Sequence, residues 1–369
     1  MGGKPSCISQ KHLILKKNLP ILTGIRFFAA FYVFIFHVDS LQHLDFLGSN
    51  ILSIVHQGAV GVNIFFILSG FILFYNYYNR PMNFVEFIFK RLAKIYPVYL
   101  AGFFLMFAVT KITYVKVDSF FEVMVMNLLM IQSYLPKFAQ AWYGGGSWSL
   151  STEFFFYLSF PLLVNFISKL SKKRVLLLSV FCFILSVIPG ALYHFKIINF
   201  PLSYAFPPSR VWEFIIGMLV ACLVVKYEAR ISNFFICAII VFCILFFHYI
   251  GLNLRGFVIQ NIIVIPLMVV ILISSFNSKS NLLGFLGWRL FEYLGKISYS
   301  FYIFQIPFLA YMKSMNDLNN YSSVSILVVL FVMNLAGAAF LYHLIELPSH
   351  KFLNKKINEV FVKKKPILS

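Results

Sequence analysis

The sequence predicts an all-α, polytopic membrane helix bundle of about ten transmembrane spans, with both termini cytoplasmic. Three observations lead there. Of the 369 residues, 60% are hydrophobic and 12% are charged, against roughly 45–50% and about 25% in soluble domains. Ten apolar runs are each long enough, at about 17–25 residues, to cross a hydrocarbon core as a helix. The basic residues are shared unevenly between the two sides that those runs define.

The runs are Pro20–Leu41, Val55–Tyr75, Arg91–Ile112, Trp148–Ser168, Arg174–His194, Arg210–Val225, Ile231–Ile250, Gly256–Phe276, Leu294–Tyr311 and Ser323–Ile345. Phe120–Ile131 is shorter and reads as interfacial or re-entrant. With the amino end inside, the inner segments hold 23 of the 31 Lys and Arg residues, the outer segments hold seven, and Arg26 lies within the first span. That split obeys the positive-inside rule. It accounts for the net charge of +19 without nucleic acid, for which no aromatic-basic module is present. The division is a basic cytoplasmic segment at 1–19, a membrane domain at 20–346 and a basic cytoplasmic tail at 347–369. The tail is expected to lie against anionic lipid. The first run is read as an uncleaved span, and no appended soluble domain is expected. Cys182, Cys222, Cys237 and Cys243 fall inside apolar runs with no CxxC or Cys/His spacing, so neither disulfides nor a metal site is expected.

Polar groups inside the runs mark candidate chemistry. In the first span Arg26 and His37 stand 11 residues apart, which places them on one helical face about 16 Å apart along the axis. A charge at membrane depth costs about 2.5–3.5 kcal/mol and ordinarily faces protein or a wet cavity. A snorkelling Arg and a satisfied core His are the plainer alternatives. Ser69-Gly70 forms a small polar notch in the second span, or a helix-packing contact. Arg91 and Lys94 share a face at the inner end of the third, either as positive-inside anchors or as a clamp for phosphate; Pro97 is expected to kink this helix. Glu153 lies a turn into the fourth span and needs a partner, for which Arg26 and His37 are candidates. Trp148 beside it suits an interface anchor. Arg210 and Glu213 read as a local structural pair. Ser298, Tyr302 and Gln305 share a face of the ninth span. His343 and Glu346 are a turn apart at the end of the last, where Pro348 is expected to stop the helix.

Taken in order, these pieces resemble the acyltransferase 3 family of integral membrane O-acyltransferases, which modify bacterial surface glycans. Arg26 and His37 match the family's first-span Arg and His. GVNIFFILSGF (Gly61–Phe71) is similar to its Phe-Phe-x-x-Ser-Gly element, and Arg91-Leu92-Ala93-Lys94 to its Arg-x-x-Arg. WSLSTEFFFY matches Trp-Ser-Leu-x-x-Glu; RVWEFIIGML, ISYSFYIFQIPF and Glu346-Leu347-Pro348 match three later motifs. The resemblance runs from about Leu22 to Lys351. Lys94 stands where the family usually has Arg, and Gln305 where many members have His.

The resemblance implies transfer of an acyl group, commonly acetyl from acetyl-coenzyme A, to a hydroxyl of a glycan such as O-antigen or exopolysaccharide, at the inner membrane. No bound cofactor is implied, and the partners are the bilayer, the acyl-CoA and a glycan or lipid-linked sugar. On that view His37 is a general base or acyl carrier, Arg26 holds donor phosphates or developing charge, Glu153 sets the histidine's tautomer, and Arg91 and Lys94 face the donor. Ser69, Gly70, Trp148, Ser298, Tyr302 and Glu346 support them. Two other classes fit parts of the sequence. A transporter or flippase for a lipid-linked glycan would also use intramembrane Arg, His and Glu, although no paired broken helices or repeat halves are visible. A scaffold without chemistry leaves the buried charges without a role.

Overall fold

The computed structural model describes residues 19–41, 44–113, 116–232, 260–276, 283–315 and 323–362, together with residues 238, 239, 241, 242, 245, 246 and 249. The described residues contain helices and no strand. In order they are α1 (Pro20–Asp39), α2 (Gly48–Val55), α3 (Gly61–Tyr77), α4 (Phe84–Ile112), α5 (Phe120–Leu128), α6 (Pro136–Ala139), α7 (Gly144–Lys169), α8 (Lys172–His194), α9 (Phe200–Tyr204), α10 (Pro207–Val225), α11 (Asn261–Ser274), α12 (Arg289–Ser314) and α13 (Ser323–Leu341). A π-helical turn, Tyr342–Glu346, joins α13 to α14 (Leu347–Val362).

Eight of the expected spans coincide with long helices: α1, α3, α4, α7, α8, α10, α12 and α13. Seven helical stretches among the described residues are both long and apolar enough to cross a membrane. The long α12 is not among those seven, because it carries a polar face. Of the two other expected spans, Ile231–Ile250 lies largely outside the described residues. Gly256–Phe276 is described from residue 260 onward, where α11 forms. The nine-residue α5 is about 14 Å long, too short to span, in keeping with the interfacial reading of Phe120–Ile131.

Local chemistry sets several helix ends. Asn83 caps α4 by accepting from the Glu86 amide at 3.0 Å, and Glu86 pairs with Lys90 one turn on at 2.6 Å. Pro20 and Pro207 sit in the first turns of α1 and α10, where proline's missing N–H has no helical partner to lose. At the end of α7, Lys226 donates to the carbonyls of Ser168 and Leu170 at 2.8 and 2.7 Å, satisfying orphan carbonyls at the negative end of the helix dipole.

Two close crossings organise the bundle. A Cβ on Gly70 would come within 1.9 Å of the Phe214 carbonyl oxygen, and one on Gly217 within 2.0 Å of that of Ile67, so α3 and α10 touch backbone to backbone. Gly295 meets the Thr23 carbonyl in the same way, bringing α12 against α1.

Pro97 lies inside α4, which is helical from Phe84 to Ile112. One helix expectation needs correction. Pro348 does not end the last span. It occupies the first turn of α14, and the π turn before it absorbs the change of register, so the chain continues as helix to Val362.

Candidate active site

A cavity of about 330 Å³ opens among α1, α3, α4, α7, α12, the π turn and α14. Eight of the predicted site residues line it together: Arg26, Ser69, Arg91, Lys94, Glu153, Ser298, Tyr302 and Glu346. The spacings explain the convergence. Arg91 and Lys94 are three apart on α4, and Ser298 and Tyr302 four apart on α12, so each pair presents one face.

The carboxylates are held by hydroxyls. Ser69 donates to Glu153 Oε1 at 2.9 Å and Tyr157 donates to the same oxygen at 2.6 Å. Ser300 donates to Glu346 Oε2 at 2.6 Å. Among the described residues, Arg26, Arg91 and Lys94 form no ion pair within 4.0 Å. Lys296 at the cavity wall is already paired with Glu292 at 2.8 Å. Three cations against two carboxylates leave the cavity net positive, and the buried Nε of Arg91 has no hydrogen-bond partner. The arrangement suits the binding of a polyanion.

His37 is elsewhere. It lines a second cavity of about 260 Å³ with Ser40, Met106, Trp142, Gly145, Gly146, Gln305 and Lys313. This cavity lies towards the carboxyl ends of α1 and α12, whereas the first lies towards their amino ends. A thin wall separates them: Tyr302, facing the first cavity, donates to the carbonyl of Gly146, which lines the second, at 2.6 Å. The Tyr302 hydroxyl also lies 2.9 Å from Ser149 Oγ.

This corrects the role expected of Glu153. Its carboxylate belongs to the first cavity, held by Ser69 and Tyr157 and within electrostatic range of Arg26. It does not orient His37. Of its two candidate partners, Arg26 lines the same cavity and His37 does not.

Gly70 and Trp148 do not reach either cavity. Gly70 is the α3–α10 crossing point. Trp148 is buried against Tyr204, with ring centroids 4.6 Å apart, and under the Arg210 guanidinium at 5.8 Å. Arg210 and Glu213 form the expected local pair, at 2.9 Å, but the pair is the centre of a wider network. Arg210 donates to Asn63 Oδ1 at 2.7 Å and to the Tyr204 carbonyl at 2.9 Å. Asn261 receives from Asn63 at 2.7 Å and donates to Glu213 at 3.0 Å. Four helices, α3, α9, α10 and α11, are joined through one buried ion pair.

Sequence reasoning missed Tyr157, Ser149, Ser300 and His350. Tyr157 had a readable signal, since it follows Glu153 by one helical turn. His350 had none. It lines the first cavity because the π turn carries the helix on past Pro348. His343 instead faces outward to Tyr293, with its Nε2 3.2 Å from the hydroxyl.

A family model described as an acyltransferase domain, acyltransferase 3, matches residues 19–343. The chain belongs to the acyltransferase 3 family. The acyltransferase MdmB of Streptomyces mycarofaciens is 33% identical to it over 226 residues, which are 56% of this chain and 57% of that relative. The chain thus matches little more than half the length of that curated relative. No solved structure matches it. Within this acyltransferase 3 chain, Arg26, His37 and Glu153 all fall inside the matched region, whereas Glu346 and His350 lie just beyond it and still line the first cavity.

Proposed function

We propose that the chain is an inner-membrane O-acyltransferase that moves an acyl group, acetyl from acetyl-coenzyme A, to a hydroxyl of a cell-surface glycan. The observation that carries this reading is the pair of cavities at opposite ends of α1, one net positive and one holding His37. A coenzyme A thioester has phosphates at one end and the reacting carbonyl at the other. Arg26, Arg91 and Lys94 suit the phosphates. His37 suits the acceptor, as an imidazole whose bare ring nitrogen can take a proton from a hydroxyl.

In the reaction, His37 takes the proton of the acceptor hydroxyl as its oxygen bonds to the thioester carbonyl carbon. The tetrahedral adduct then expels the coenzyme A sulfur, which leaves as the thiol after receiving that proton. The products are the acylated hydroxyl and free coenzyme A, and imidazole is regenerated. The carbonyl must reach past Tyr302 to meet His37, so this side chain moves or is displaced during each turnover.

The test is transfer of radiolabel from acetyl-coenzyme A to glycan in proteoliposomes of purified protein. Label appearing on glycan, dependent on His37, supports the reading. Glycan crossing the bilayer with no label transferred would overturn it in favour of a flippase.

A further inference from the structure

The transfer chemistry leaves Gln305 unused. It sits on α12, fully buried, and lines the second cavity beside His37. Its side chain shares that cavity wall with His37, and neither its amide oxygen nor its amide nitrogen has a hydrogen-bond partner. A buried amide with both ends unmet is destabilising, and folding alone would favour an apolar side chain there. Its neighbours on the cavity wall, Met106, Ile306 and Leu309, cannot satisfy it. Nor is any carboxylate available to the imidazole: among the described residues none lines this cavity.

We infer that Gln305 is the positioning residue for His37, an inference that rests on His37 acting as the base. A neutral imidazole has one N–H and one bare nitrogen. If the amide oxygen accepts the N–H, the ring is fixed in the tautomer whose other nitrogen is bare and turned to the acceptor hydroxyl. The amide nitrogen is then left to donate to an oxygen of the acceptor itself. A neutral amide does this at membrane depth without burying a second charge. The imidazole then meets the amide oxygen, and the acceptor meets the amide nitrogen.

The experiment compares wild type, Gln305→Met and Gln305→His in proteoliposomes, measuring kcat, both KM values and Tm. Methionine matches the glutamine in length and cannot hydrogen-bond the ring. Gln305→Met is expected to lower kcat about 10- to 100-fold, part of what a general base contributes. Donor KM should be unchanged, and Tm equal to or above that of wild type, since no formed bond is lost. Gln305→His offers a bare ring nitrogen to the same N–H and should recover most of the rate. Wild-type kcat in Gln305→Met overturns the proposal. So does a kcat loss that comes with a lowered Tm and is not rescued by Gln305→His, which would be a packing effect. His37→Ala is the control for the underlying reading. If His37→Ala remains active, the base itself is misassigned. If His37→Ala is inactive while Gln305→Met is normal, only the positioning role falls.

Discussion

Each ionisable residue in the two cavities has a distinct set of neighbours, and these separate the roles. Arg91 faces a net positive cavity with its Nε unpaired. Arg91→Ala should raise the donor KM far more than the acceptor KM. A charge-assisted hydrogen bond is worth about 1.5–3 kcal/mol, or roughly 10- to 150-fold in affinity. Steady-state kinetics with each substrate varied in turn decides it, and an effect on the acceptor alone would reassign the cavity. Lys94→Arg should be tolerated, because it keeps the charge and adds donors. His37 makes a sharper case. His37→Ala and His37→Gln should both abolish acyl transfer at matched levels of membrane-inserted protein, since neither keeps a basic nitrogen. Near-normal glycan acylation by His37→Gln would falsify the base role.

At the scale of elements, the bundle depends on points where helices meet without room to spare. Glu213 and Arg210 are fully buried, and each compensates the other. Replacing both by apolar residues is often nearly neutral, but removing one partner strands a buried charge at a cost of about 3–5 kcal/mol. Glu213→Leu should therefore lower Tm sharply in detergent or nanodiscs, and the double change Arg210→Met with Glu213→Leu should recover much of it. Equal losses in the single and double variants would show that the network around Asn63 and Asn261 matters more than the pair. Gly70→Leu should fail to fold, because even a methyl group there overlaps the Phe214 carbonyl. Normal yield of a monodisperse Gly70→Leu protein would mean that α3 and α10 are not in backbone contact.

For the whole molecule, the two cavities define a direction. The positive one lies where α1, α4's charged turn and α12 begin; the His37 cavity lies towards the other end of the same helices. On the proposed reading the first end lies in the cytoplasm, where a coenzyme A thioester is found, on the strength of the uneven distribution of Lys and Arg. Cysteines introduced at Asp45, Lys172 and Lys356 should react with a membrane-impermeant reagent from outside, inside and inside respectively. Labelling of the Lys356 position from outside would reverse the polarity and with it the assignment of donor and acceptor ends.

The sequence by itself determined the class of fold. Span length, apolar composition and the distribution of Lys and Arg are properties of the solvent each segment requires, and they are legible one segment at a time. It also picked out, by their charge or polarity in apolar runs, eight of the residues that line the first cavity. Only the tertiary structure decided which of them meet. Arg26 and His37 share a helix face, yet the Tyr302–Gly146 bond separates them into different cavities, and Glu153 joins the first rather than the second. Gly70 and Trp148 matched motifs as well as any site residue, but one is a crossing point and the other is packed under Arg210. His350 came into view only through a π turn, and Gln305, already on the polar face of its span, stood out by an unmet amide. A residue's periodicity fixes the face it occupies on its own helix; which neighbour lies against that face depends on backbone approaches and polar satisfaction across the bundle, and these involve residues that are far apart in the chain.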